Sequence, residues 1–85
     1  MEVTANETLA MFADEELAQR DRDQFVENVG KLAVQTRAGV EKIERKRTDD
    51  EELAVIHYKG GGKRYVNIHA DSYTAIVRDI FKNID

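Results

Sequence analysis

The stretch from Leu53 to Ile84 constrains the fold more than any other part of the chain. An alternating segment, three glycines, a second alternating segment and an amphipathic run follow one another there without a break. Ala54, Ile56 and Tyr58 alternate with Val55 and His57, and Val66, Ile68 and Ala70 alternate with Tyr65, Asn67 and His69, the period of half-buried strands. Residues directly opposite in an antiparallel pair share a face, so joining the two apolar sets requires a loop of odd length. A three-residue loop at Gly60-Gly61-Gly62 meets this, with glycine where a left-handed conformation is needed. It places Lys59 opposite Lys63, Ile56 opposite Val66 and Ala54 opposite Ile68. Beyond it, Asp71 or Ser72 can cap a helix whose Tyr73, Ile76, Val77, Ile80, Phe81 and Ile84 form one apolar stripe.

The N-terminal half reads as helical and acidic. Thr4 and Glu7 have the spacing of a capping box, and Leu9, Phe12, Ala13 and Leu17 share a helical face. This first helix runs to about Arg20 or hinges near Asp14. The polar segment Arg20-Asp21-Arg22-Asp23 fits a tight connection to a second helix from Gln24 to about Ala38, with Phe25, Val26, Val29, Leu32 and Ala33 inward. Residues 40–46 are two-sided. Val40 and Ile43 continue the helical stripe, which favours helix, whereas Gly39 would equally end it and leave an edge strand. The expected architecture is a single α+β domain over 1–85 with order α-α-β-β-α. An acidic helical part spans 1–47, and a hairpin covered by a C-terminal helix spans 53–84.

Charge divides along the same line. Residues 1–39 carry eight acidic and four basic side chains, whereas residues 40–85 carry nine of each, for a formal net charge of −4. Repulsion from phosphate backbones weighs against general nucleic-acid binding. With 85 residues the chain buries only about 60 to 65% of the surface its unfolded form exposes, and without cysteine it has neither disulfides nor thiolate metal ligands. No apolar run reaches the roughly 20 residues of a membrane span, and the N-terminus is unlike a signal peptide, so a cytoplasmic protein is expected.

No catalytic constellation emerges. Ser72 is the sole serine and sits at a cap, and the carboxylates lie in polar runs rather than apolar pockets. His57 and His69 share a predicted face, but no cysteine or spaced carboxylate completes a ligand set, so neither a metal nor a cofactor is assigned. Lys59-Gly60-Gly61-Gly62-Lys63-Arg64 turns between two strands rather than from strand into helix, which separates it from a phosphate-binding loop. The candidate contact residues are of two kinds. Asp14, Glu15, Glu16, Asp21, Asp23 and Glu27 form an acidic helical surface able to imitate a phosphate backbone. His57, Lys59, Lys63, Arg64, Tyr65, Asn67 and His69 form the tip and outer face of the hairpin. The outer face of the hairpin, with Val55, His57, Tyr65, Asn67 and His69, is too apolar for plain water contact and calls for a third element or a partner.

The run Val55 to Ser72, with the helical Ala75-Ile76-Val77-Arg78-Asp79-Ile80, resembles the tail of small uncharacterised proteins of prophages and conjugative elements of Gram-positive bacteria. The resemblance covers the last third of the chain and implies no activity, though small acidic proteins of that setting include anti-CRISPR inhibitors. The function expected is a non-enzymatic protein-binding module, an inhibitor or regulator, with a protein partner or a homodimer and no membrane. The alternative is a nucleic-acid-binding regulator using Arg45-Lys46-Arg47 and the Lys59–Arg64 tip.

Overall fold

The computed structural model describes the backbone of residues 2–84 and the side chains of residues 16–84. Helix α1 spans Glu2–Thr36, strands β1, β2 and β3 span Val40–Arg47, Glu52–Tyr58 and Lys63–Asn67, and helix α2 spans Tyr73–Ile84. The order is therefore α-β-β-β-α, and the sheet is antiparallel with strand order β1-β2-β3.

Two expectations are corrected. The N-terminal half holds one helix, not two. Arg20-Asp21-Arg22-Asp23 is no turn but a stretch within α1, because its charges find partners with the chain still helical: Glu16 with Arg20 one turn apart at 3.0 Å, Arg22 with Glu52, and Asp23 with Arg45. From Gln19 onward the positions turned to the sheet recur every three or four residues, Gln19, Arg22, Val26, Val29, Ala33 and Arg37, so the helical stripe is continuous but polar at both ends. Leu17 and Leu32, assigned to apolar faces, are 54% and 50% exposed. Helix α1 already includes Thr4, so it does not start at the expected Thr4 cap, and the side chains of Thr4, Glu7, Leu9, Phe12 and Ala13 lie outside the described residues.

The second correction concerns residues 40–46, which form strand β1 rather than a helical extension. The chain reverses after α1 in a turn closed by the Val40 amide on the Arg37 carbonyl at 3.1 Å. The pairing of β1 with β2 slips between Val40 and Lys42, so that Val40 faces Tyr58, Lys42 faces His57 and Glu41 is the extra residue of a bulge. Residues three apart on a regular strand point to opposite sides. The bulge turns Val40 and Ile43 to the same side, where both are buried, and so gives a strand the spacing of a helix. Thr48–Glu51 closes this first hairpin, the Glu51 amide reaching Thr48 Oγ1 at 3.1 Å.

The second hairpin has the predicted parity and a shifted register. Ala54 faces Val66, Ile56 faces Arg64 and His57 faces Lys63. The three-residue loop is Lys59-Gly60-Gly61, bounded by the Tyr58 amide on the Gly62 carbonyl at 2.8 Å, and Gly61 takes the left-handed position at φ 93°. Ala70, expected inward on an extended second arm, instead leaves the sheet at φ 62° and is exposed.

Both helices lie on one face of the sheet. Val26, Val29 and Ala33 of α1 and Ile76 and Ile80 of α2 pack with Val40, Ile43, Ala54, Ile56, Val66 and Ile68 in a single core. Phe25 meets Tyr73 at 4.5 Å between ring centroids, and the Arg37 guanidinium lies 5.4 Å from the Phe81 ring, so the helices run side by side in the same direction. Gly30 brings α1 onto β1. A Cβ there would stand 2.9 Å from the Ile43 nitrogen and 3.2 Å from its carbonyl oxygen. Ser72 caps α2, its Oγ accepting from the Ala75 amide at 3.2 Å.

Candidate functional site

Because both helices cover one face, the other is left without a layer among the described residues. Alternation fixes what it presents. The pairings set Lys42, His57 and Lys63 in one row across the three strands, Glu44, Val55 and Tyr65 in the next, and Lys46, Leu53 and Asn67 in the third. Val55 lies at the centre of this grid and is fully buried, although it is not part of the helix-covered core cluster. Tyr65 beside it is 58% exposed. His57 Nε2 meets Glu44 Oε1 at 2.7 Å, and Lys46 Nζ lies 3.9 Å from the same oxygen. The hydrogen bond from His57, with Lys42 and Lys46 adding their fields, holds the Glu44 carboxyl below the ordinary glutamate range.

The end of the helix-covered face carries a different arrangement. Glu52 points inward from β2 and is 5% exposed. Arg22 of α1 grips it with two parallel bonds, Nε to Oε2 at 2.7 Å and Nη2 to Oε1 at 2.8 Å, while Arg45 of β1 donates Nε to Oε2 at 2.5 Å. Arg22 also donates to the Asp71 carbonyl at 2.9 Å, and Arg45 reaches Asp23 Oδ1 at 2.8 Å and the Gln19 side chain at 2.5 Å. Burial alone would raise the Glu52 carboxyl. The two guanidiniums outweigh it and hold the group below its ordinary range. This cluster fastens α1 to the sheet and to the loop before α2, a structural role.

The sequence-derived candidates are thereby sorted. His57, Lys63, Tyr65 and Asn67 do come together on the uncovered face. Lys59 is exposed at the hairpin tip, its amide held by the Gly39 carbonyl at 3.0 Å. Arg64 turns to the helical side and donates to the Asn83 carbonyl near the C-terminal end of α2. His69 lies past the end of β3, its amide donating to Asn67 Oδ1 at 2.9 Å, so it does not share a strand face with His57. Asp14 and Glu15 have side chains outside the described residues. Glu16 is paired with Arg20 and Asp23 with Arg45, while Asp21 and Glu27 are exposed. The Arg45–Arg47 cluster is split, since Arg45 has a side chain only 3% exposed and is committed to Glu52 and Asp23.

Lys42, Glu44 and Lys46 lie on the uncovered face, which the helical reading of 40–46 concealed. Their signal in the sequence was alternation: they interleave with Ile43 and Arg45, the inward positions.

A groove of about 460 Å³ runs between α1 and β1, lined by Asp23, Glu27, Lys31 and Val34 of the helix and by Glu41, Lys42 and Glu44 of the edge strand among others. Its mixed charges and single aliphatic flank on the helix differ from the apolar lining of small-molecule sites. Among the described residues no cluster of three His, Cys, Asp or Glu side chains could hold a metal ion, and no helix is long and apolar enough to cross a membrane. Comparisons with protein-family models, curated proteins and solved structures returned no match.

Proposed function

We propose that the chain is a non-enzymatic binding module that engages a partner protein through the uncovered face of its sheet and acts as an inhibitor or regulator. One observation carries this reading. Among the described residues, three strands present a mixed surface of Lys42, Lys46, Lys63, Asn67 and the exposed Tyr65 that neither helix covers, and a large aromatic left in water on a sheet face suits a partner contact. The acidic helical surface gives weaker support, because Glu16 and Asp23 are each balanced by a cation of the chain itself. The resemblance of the C-terminal third to mobile-element proteins is in keeping with an inhibitor of that origin, an anti-CRISPR protein included.

A nucleic-acid-binding regulator is the second reading. Lys42, Lys46 and Lys63 around the exposed Tyr65 favour it, and the withdrawal of Arg45 into the interior counts against it. Affinity capture with the tagged chain separates the two. The primary reading expects a protein retained by the wild type and lost with Tyr65→Asp, and retained when Asp21 and Glu27 are changed to lysine. Nuclease-sensitive retention, or binding to duplex or single-stranded nucleic acid that falls steeply with salt, would favour the second.

A further inference from the structure

We infer that the uncovered sheet face takes a short acidic segment of the partner protein, its carboxylates seated along the Lys42–His57–Lys63 row and an apolar side chain laid against Tyr65. The inference rests on the proposed function and adds the chemistry of the partner.

Sign comes first. The chain as a whole carries a net charge of −4, yet this face bears Lys42, Lys46 and Lys63 against Glu44 and the bulge residue Glu41, a small cationic excess. Glu44 is already shared by His57 and Lys46, whereas Lys42 and Lys63 form no ion pair within the described residues. They stand exposed on the two outer strands on either side of the half-buried His57, with the exposed Tyr65 in the next row. A segment that sets acidic side chains on that row and an aliphatic or aromatic one in the row beyond satisfies both. Electrostatic complementarity of this kind selects the partner and orients it.

Size comes second. With strands about 4.8 Å apart and same-face residues about 6.8 Å apart along each strand, the grid measures roughly 10 by 14 Å. That accommodates about four extended residues, well short of a standard interface between folded domains. A peptide-like segment fits the dimensions.

Nucleic acid fits less well. Tyr65 is the single strongly exposed aromatic of the face, so successive bases have one stacking position, and a phosphate chain running from the cationic row past Tyr65 meets Glu44.

The test is a titration of the ¹⁵N-labelled chain, followed by amide shifts, with three probes: a short peptide of alternating Glu and Leu, its Lys–Leu counterpart, and a single-stranded oligothymidine. The expected result is saturable shifts confined to the grid, at Val55, Lys63 and Tyr65, with the Glu–Leu peptide. Binding should be at least about tenfold weaker for the Lys42→Glu/Lys63→Glu variant and about threefold weaker for Lys42→Gln/Lys63→Gln, both melting as the wild type does. No shift with the Glu–Leu peptide, equal binding of the Lys–Leu peptide, or tighter binding of oligothymidine would each overturn the inference. Failure of the underlying reading looks different. If a captured protein partner is lost with Tyr65→Asp but indifferent to reversal of the lysines, the contact face stands and its acidic ligand falls; if Tyr65→Asp leaves capture intact, the contact face itself falls.

Discussion

Replacing Glu52 by glutamine should destabilise the protein by about 2 to 4 kcal/mol. The Glu52 side chain is 7% exposed, that of Arg45 3% and that of Arg22 20%, so all three charges have left most of their water behind. Breaking a buried ion pair by removing one partner costs about 3 to 5 kcal/mol, because the remaining charge is uncompensated. Glutamine keeps one acceptor for Arg22 or Arg45, which returns about 1 kcal/mol of hydrogen bonding. Asp23, 60% exposed, is too well hydrated to replace the lost anion. For a chain of this size the loss corresponds to a fall in Tm of roughly 8 to 32 °C. Urea unfolding at pH 7 followed by far-UV circular dichroism would measure it, with the slope against denaturant unchanged. A companion variant sharpens the reasoning: Arg22→Met, Arg45→Met and Glu52→Leu together should lie within about 1 kcal/mol of the wild type or above it, since no charge is then stranded. A loss below about 1 kcal/mol for Glu52→Gln would refute the claim that this triad fastens α1 to the sheet.

The same carboxyl sets an acid response. Its folded pKa lies below its unfolded one, so its contribution is complete above the ordinary glutamate value of about 4.3 and is lost as pH falls through the lowered value. Stability measured from pH 6 downward should therefore decline less for Glu52→Gln than for the wild type in that window. Gly30→Ala should destabilise by about 1 to 3 kcal/mol in urea unfolding despite the better helix propensity of alanine, because its methyl would meet the Ile43 backbone at 2.9 Å. In the hairpin loop, Gly61→Ala should cost about 1 kcal/mol, because φ is +93° there, while Gly60→Ala, with open space and no positive φ, should change stability by under about 0.5 kcal/mol. Thermal melts of the pair distinguish them.

What could be read in advance depended on whether a signal was local. The parity of the β2–β3 pairing follows from alternation alone and holds. The register does not, since any of three successive glycines can adopt the left-handed position and only the folded hairpin selects Gly61. Ser72 as the cap of α2 and the Ile76–Ile80 stripe are likewise local and present. The misread segments owe their residues to partners far along the chain. Arg22 and Asp23 look like a turn until Glu52 and Arg45 stand opposite them, and Val40 and Ile43 look helical because a bulge at Glu41 reproduces a spacing of three. The uncovered face was half legible: His57, Tyr65 and Asn67 were visible from the hairpin, whereas Lys42, Glu44 and Lys46 became visible once β1 was a strand.

A benzophenone amino acid placed by amber suppression at position 65, and in a separate variant at position 32, tests the central claim most directly. Tyr65 and Leu32 are similarly exposed, the first on the uncovered sheet face and the second on α1. Irradiation in cells should yield a protein adduct from position 65 and none from position 32. An adduct from position 32 alone would contradict the account and place the contact on the helix.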